Sequence, residues 1–354
     1  MKILHTADLH LGSKLESKFT KEISDKRKKE VLGTFGRMIE YAKRNEIKII
    51  ILSGDVFDAD KPSIKDKNFF YSAVKNNPEI DFLYLNGNHD KEGSYTETDV
   101  PNLKTFTKES LTSYTYGNVC ISGIEMNKEN AETFYSEISL DEKMINILML
   151  HGEASDSVGC DKVKIDLLKN RGIDYLALGH IHSFKSGKID ERGIYVNPGC
   201  PEGRGFDECG EKGFAVIDID ETLKYEFVPF SFRVIHDLKI DISDAKDLYE
   251  AIEIVKKKVN DIDRVDILNI TLTGEVPADC DISESDIETQ INDFFFTYVK
   301  NTTKTKIDVH DYDDDKSLIG EFIRNVNSSD KYSLEMKEKL IITGLKILNG
   351  REVK

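Results

Sequence analysis

Seven side chains able to bind a divalent cation stand just beyond short apolar runs. Asp8 and His10 follow residues 2–7, Asp55 follows 49–54, Asn88 follows 82–87, His151 follows 145–150, and His180 and His182 follow 175–179. Carboxylate, amide oxygen and imidazole nitrogen are the donors that hard and borderline divalent metals prefer. Asp8/His10 and His180/His182 are i, i+2 pairs, and alternate residues of an extended chain share a face. Each pair can therefore aim two donors into one cavity. Seven donors exceed the needs of one tetrahedral ion and suit two ions that share a bridge. Asp55 is the natural bridge, because its two oxygens can span both. Two cations about 3.5–4 Å apart clamp the attacking and leaving oxygens of an in-line phosphoryl displacement.

The elements that must position these residues are legible as short runs. The best defined is Ile49-Ile50-Ile51-Leu52, which stops at Ser53-Gly54 and presents Asp55 at once. It is β-branched and brief, as a buried strand is. Open α/β sheets place their sites beyond the carboxyl ends of their strands, so donors far apart in sequence converge in space. Between the strands, the spacing of Val31, Leu32, Phe35, Met38, Ile39 and Ala42 predicts a helix over 22–46, and a second runs over 64–77 before Pro78. Residues 91–100 read as a polar loop near the site. A hairpin turns at Gly117-Asn118, with helices expected over 129–138 and 161–170. Residues 184–230 alternate strands and turns, expected to finish the second sheet of a two-layer core.

After Pro229-Phe230-Ser231 the order changes to strand 234–242, helix 245–259, strand 264–272, helix 283–292 and strand 294–300. This predicts a small α+β domain. An acidic linker, Asp311 to Asp315, leads to helices over 317–327 and 333–349. The last carries a stripe of Leu334, Lys337, Ile341, Leu345 and Leu348. The expected boundaries are therefore 1–230, 231–310 and 311–354.

The chain has 354 residues and a formal charge of −16. That length supports one large and one small domain. No apolar run approaches the ~20 residues of a membrane span, and no cleavable leader precedes the first strand. Five cysteines without C-x-x-C spacing fit a reducing cytoplasm and argue against a disulfide framework or a thiolate zinc site. The acidic balance is unlike that of most nucleic-acid binders. Duplex affinity is expected to be weak alone, or supplemented by a partner. Lys26-Arg27-Lys28-Lys29 could touch phosphates, but a solvated helix face accounts for the run equally well.

Asp8-x-His10, Gly54-Asp55-x-x-Asp58, Gly87-Asn88-His89-Asp90, His151 and Gly179-His180-x-His182 resemble the motif set of calcineurin-like metallophosphoesterases, in order and complete. Residues 5–12, 54–58 and 198–208 are similar to the SbcD-type nucleases of DNA double-strand-break repair, the bacterial branch of the meiotic-recombination nuclease family. The resemblance covers most of the chain and weakens after about Ser231. It implies a two-sheet β-sandwich flanked by helices, a small capping domain that helps choose DNA geometry, and C-terminal helices that dock on an SbcC-type coiled-coil ATPase. It also implies DNA as substrate, a homodimer and two divalent ions, with Mn²⁺ favoured.

Carried over by position, one ion takes Asp8, His10, Asp55 and His182, and the other takes Asp55, Asn88, His151 and His180. His89 is the expected catalytic group, stabilising the transition state or protonating the leaving oxygen. Asp90 is expected to orient His89 by accepting its other N–H. Asp58 stands where some relatives carry His, and is expected to hold a ligand in place. Arg204, flanked by Gly203 and Gly205, is the expected phosphate contact; Lys14 and Arg192 read as surface charge, and His5 as a structural plug. Two other functions compete: a phosphomonoesterase or protein phosphatase on the same core, and a non-catalytic scaffold. The arginines that grip phosphate in protein phosphatases are absent around Asp55 and Asn88, which favours a diester, and the intact donor set speaks against a scaffold.

Overall fold

The computed structural model describes residues 1–15, 19–58, 62–90, 100–277, 280–306 and 309–348. The loop expected at 91–100 therefore lies outside the described residues except for Val100. The chain divides into two compact units, Met1–Ile235 and His236–Lys354.

In chain order the first unit contains β1 (Lys2–Thr6), α1 (Lys21–Arg44), β2 (Ile49–Ser53), α2 (Ile64–Lys75), β3 (Asp81–Leu85), β4 (Leu103–Thr105), β5 (Thr112–Tyr116), β6 (Val119–Gly123), α3 (Phe134–Glu137), β7 (Ile145–Met149), β8 (Glu153–Ser155), β9 (Lys162–Lys164), β10 (Tyr175–Ala177), β11 (Lys185–Lys188), β12 (Ile194–Asn197), β13 (Gly213–Ile219) and β14 (Leu223–Pro229). Two six-stranded sheets result, ordered β14-β13-β1-β2-β3-β4 and β11-β12-β10-β7-β6-β5. β1 to β4 are parallel, as are β6, β7, β10 and β12.

Side-chain alternation explains the layering. Ile49 and Ile51 of β2 join Ile3, Leu83, Ile147, Met149, Ala177 and Val196 in a core shared by the two sheets. Ile50 and Leu52 point the other way, into a core with Phe35, Met38 and Ile39 of α1 and Phe70 and Val74 of α2. Leu148, Leu150, Leu176 and Leu178 face a third core with Phe134 and Tyr135. Strands buried on both faces lose the polar alternation of a solvated sheet, which is why they read as continuous apolar runs. The arrangement is the expected two-sheet sandwich flanked by helices.

Three local expectations change. Residues 184–230 do not all finish the second sheet: β11 and β12 do, but β13 runs antiparallel to β1 and extends the first sheet, with β14 outside it. Phe214 of β13 packs on Tyr41 of α1 while Ala215 and Ile217 enter the inter-sheet core. The helix expected over 161–170 is instead β9, paired with β8, followed by a 3₁₀ turn at Ile165–Leu168. Over 129–138 only Phe134–Glu137 is helical, because Asn127 and Asn130 cap a preceding turn through the backbone N–H groups around them.

The second unit contains β15 (Ile235–Asp241), whose first residue falls at the boundary, α4 (Leu248–Val259), β16 (Ile267–Thr273), β17 (Glu275–Pro277), α5 (Glu284–Gln290), β18 (Phe296–Asn301), β19 (Lys304–Lys306), α6 (Leu318–Ser328) and α7 (Leu334–Leu348). β15, β16 and β18 form a sheet whose core includes Val255 of α4 and Ile287 of α5. Val309–Tyr312, partly within the expected acidic linker, is a 3₁₀ turn. Its Val309 and Tyr312 pack on Ile323 of α6 and on Ile341 and Leu345 of α7. Leu334 and Leu348, at the ends of the predicted stripe, are exposed. No described helix is long and apolar enough to cross a membrane.

Candidate metal centre

The ends of β1, β2, β3, β7 and β10 open onto one cavity. Two groups of donors form there: Asp8, His10 and His182, and Asp55, His151 and His180, the ligand atoms of each lying within 4.8 Å of one another. Asp55 stands between the groups. Its Oδ2 is 3.4 Å from His151 Nε2 and 3.9 Å from His10 Nε2. Asn88 completes the set, with Oδ1 3.0 Å from His151 Nε2 and 3.2 Å from His180 Nδ1. Asp8, His10, Asp55 and His151 are buried; His180 and His182 are half-buried.

The backbone is bent to achieve this. Asp8, His10, Asp55 and His180 have φ of 53°, 45°, 51° and 83°. Non-glycine residues seldom adopt such values, and each costs on the order of 1–3 kcal/mol unless the surroundings impose it. Four of the seven donors thus sit in strained conformations, fixed by bonds between the strand ends. Asp8 N donates to Gly54 O and His10 N to Asp55 O. His180 N donates to both Asp8 oxygens, and His89 N to Asp55 Oδ1. Gly54, at φ 92°, supplies the left-handed turn next to His151 that a Cβ would obstruct.

The imidazoles are oriented from behind. His151 Nδ1 donates to Ser53 O at 2.8 Å, leaving its Nε2 lone pair toward Asp55 and Asn88. His182 Nδ1 donates to Glu208 Oε1 at 2.7 Å. His10 Nδ1 lies 2.9 Å from Asp58 Oδ1, off the line of a hydrogen bond. With both Nδ1 atoms facing carboxylates, His10 and His182 turn their Nε2 atoms toward each other at 3.1 Å. Two facing lone pairs repel unless a cation lies beside them. The same holds for the Asn88 oxygen against His151 Nε2. Side-chain oxygens and imidazole nitrogens converging on one cavity are what divalent cations require, so these residues fit a two-metal centre.

Charge balance points the same way. Burial drives the Asp8 carboxyl above the ordinary carboxylate range, and nearby Asp55 adds to this. Burial also opposes ionisation of Asp55, but the hydrogen bond and charge of His151 outweigh it and hold that carboxyl well below its usual range. His151, though burial works against its charge, is pushed up to about 9 by Asp55 and Asp8. The carboxylates thus demand positive charge at this point, which a cation would supply in place of a proton on His151 Nε2.

Residues 1–184 match the sequence profile of the calcineurin-like phosphoesterases. The chain belongs to this family. As a calcineurin-like phosphoesterase it is a metal-dependent hydrolase of phosphate esters. It is 28% identical over 279 residues to the metallophosphoesterase YhaO of Bacillus subtilis, covering 72% of this chain and 66% of that one, so it spans just under two thirds of YhaO's length. The DNA double-strand break repair protein Mre11 of Sulfurisphaera tokodaii is 26% identical over 336 residues, covering 86% of this chain and 81% of that one. The SbcD component of the SbcCD nuclease of Staphylococcus epidermidis is 26% identical over 306 residues, covering 73% and 77%.

Two expectations for this phosphoesterase are corrected by the side-chain geometry. Asp90 does not orient His89: its oxygens accept the backbone N–H groups of Val56, Phe57 and Gly87 at 3.1, 2.9 and 3.2 Å. Buried, it fastens the loop after β3 to the loop after β2. Arg204 does not face a phosphate. It donates to both oxygens of Glu208, at 2.6 to 3.3 Å, and to Asp58 Oδ1 at 2.7 Å. One guanidinium thus joins the carboxylates behind His10 and His182. Glu208 was not singled out from sequence, although an acid four residues from an arginine in a glycine-rich loop is a recognisable pair.

The other residues fall as follows. His89 is exposed at the mouth, its ring edge-on to His10 with centroids 5.3 Å apart. His5 is fully buried between Tyr175 Oη, Leu178 O and Ser53 Oγ, a structural role. Arg192 is tied to Asp174 and to the carbonyls of Glu142 and Met144.

Proposed function

We propose that the protein is a Mn²⁺-dependent DNA exo- and endonuclease, the nuclease subunit of an SbcCD-like repair complex. The observation that carries the reading is Asp55, whose carboxylate is within reach of both donor groups. One ion would be held by Asp8, His10, Asp55 and His182, and the second by Asp55, Asn88, His151 and His180. Two such ions supply Lewis-acid polarisation of the phosphoryl oxygens and an activated water. The chain's own residues do the rest. Ser53 O and Glu208 fix His151 and His182 in the tautomers that present lone pairs inward, and Asp58 lies behind His10. His89, exposed at the mouth with its backbone N–H anchored on Asp55, would give a proton to the leaving oxygen.

A diester is favoured over a monoester because Arg204 is committed to Glu208 and Asp58 and so cannot grip the second charge of a phosphomonoester. The names of the Mre11 and SbcCD relatives supply DNA as the diester. On this reading residues 231–310 form a DNA-capping domain, 311–354 engage an SbcC-type coiled-coil ATPase, and the protein acts as a cytoplasmic homodimer. Manganese suits the mixed oxygen and imidazole donors. The test is purified protein with Mn²⁺, given a labelled duplex, bis-p-nitrophenyl phosphate and p-nitrophenyl phosphate. Cleavage of the duplex and the diester is expected. Turnover of the monoester alone would make it a phosphomonoesterase, and no turnover with two metals bound would make it a scaffold.

A further inference from the structure

Beside the metal centre lies a second concavity, of about 360 Å³, between the loop after β1 and the flanks of α1 and α2. Lys14, Lys28, Lys29 and Lys65 line it, from three separate elements, together with Asp25 and Asp66. This is a local surplus of positive charge in a chain of formal charge −16. Both acids are engaged locally. Asp25 lies 3.8 Å from Lys28, and Asp66 accepts the Ser63 hydroxyl at 2.5 Å as part of the α2 cap. Lys14, Lys29 and Lys65 have no ion-pair partner among the described residues, and all three are exposed. Arg27, from the same basic run, is excluded: it is fully buried and bound to Glu30, Glu202 and Gly203 O.

The concavity is joined to the catalytic cavity. Ser13, which lines it, donates its backbone N–H to His10 O at 3.1 Å, and the neighbouring Leu11 O accepts the backbone N–H of Asp58, the residue behind His10, at 3.2 Å. Ser24 of α1 donates to Leu15 O at 2.9 Å and pins the connecting loop to the helix. A solvated lysine face would spread its charges along one helix. Here a loop and two helices bring theirs to one hollow, and Lys14 is four residues from His10.

We propose that this hollow is a phosphate subsite for the substrate strand, holding a backbone phosphate that flanks the scissile one. It rests on the polynucleotide reading above and adds how an acidic protein secures a polyanion: a few unpaired lysines concentrated at the entrance to the site. Ammonium groups neutralise phosphates without reading bases, so the subsite is indifferent to sequence.

The test uses the Mn²⁺-loaded full chain and the triple variant K14Q/K29Q/K65Q. A single-stranded 12-mer is added as a competitor of bis-p-nitrophenyl phosphate turnover, or of p-nitrophenyl phosphate if that is the ester hydrolysed. The variant should turn over the small ester as the wild type does, which also shows that it folds. Its inhibition constant for the 12-mer should rise at least tenfold. The slope of log Ki against log salt should fall by about 0.7, the loss of one phosphate contact on a single strand. Inhibition by a mononucleotide should be unchanged. Equal inhibition of both proteins by the 12-mer, or no inhibition of either, overturns the subsite. So does a parallel loss with the mononucleotide, which would mean a free or terminal phosphate occupies it. The outcomes separate the two ideas: a 12-mer that inhibits through these lysines but is never cut removes the nuclease reading and keeps the subsite. A 12-mer cut equally well by both proteins does the reverse.

Discussion

Glu208→Gln tests the claim that the metal ligands are oriented from behind. In the native protein Glu208 Oε1 accepts the Nδ1 proton of His182 at 2.7 Å, and Oε2 accepts Arg204 N at 2.7 Å. His182 and Arg204 hold the Glu208 carboxyl well below its usual range despite burial. A glutamine keeps the shape but offers one acceptor and an NH₂ group. If the NH₂ group faces His182, Nδ1 must become the acceptor and the ring proton moves to Nε2, the atom that faces the cavity. Loss of such an orienting partner typically costs 10–100-fold in metal affinity, about 1.4–2.7 kcal/mol. Arg204 keeps Asp58 as a partner, so the fold should survive with a loss of about 1–3 kcal/mol. Isothermal titration of metal-free protein with Mn²⁺ should show one of two sites weakened by that factor. Turnover should fall at limiting Mn²⁺ and recover substantially at saturation. Glu211→Gln, an exposed neighbour, serves as the control. Two unchanged dissociation constants in Glu208→Gln would refute the reasoning.

Other outcomes follow from the same geometry. His89→Ala should retain both metal-binding steps and lose turnover by about 100-fold or more, the range of general acid catalysis; near-normal rates at saturating Mn²⁺ would remove His89 from the mechanism. Asp90→Asn should act on stability, because it forfeits part of an acceptor set serving three backbone N–H groups: a melting temperature a few degrees lower is expected, at ~2–4 °C per kcal/mol, with kcat close to normal at 25 °C. Gly87→Ala would place a methyl on the Asp55 carboxylate and should abolish Mn²⁺ binding at both sites, read by titration. Burial pushes His5 down to about 3, partly offset by its bond to Leu178 O. Its folded form is therefore neutral while the unfolded chain binds a proton below about pH 6.5, so stability is full above that pH and declines as pH falls toward 3, by ~1.4 kcal/mol per unit. Urea unfolding of wild type and His5→Gln should show their difference shrink by roughly 2 kcal/mol between pH 7 and pH 5; a constant difference would contradict this.

The donors were legible because the chemistry of a strand end is local. Ile49-Ile50-Ile51-Leu52 announces a buried strand, and Asp55 follows within three residues of it. What supports the donors was not legible, because it depends on meetings between distant loops. Asp90 reads as the neighbour of His89, yet its partners Val56 and Phe57 lie 34 and 33 residues away. Arg204 reads as a free cation until Asp58, 146 residues distant, arrives beside it. β13 reads as a strand, but with only Asp218 polar and exposed it shows no alternation to say which sheet it joins. The segment at 161–170 misled because Val163 and Leu168 are apolar at a spacing that also suits a short strand followed by a turn.

Central to the account is a carboxylate shared between two cations. Anomalous diffraction from crystals grown with Mn²⁺ measures this directly. Two peaks are predicted about 3.5–4 Å apart, each within bonding distance of Asp55, one beside Asp8, His10 and His182 and the other beside Asn88, His151 and His180. A single peak, or two peaks with the Asp55 carboxylate turned away from either, would contradict it.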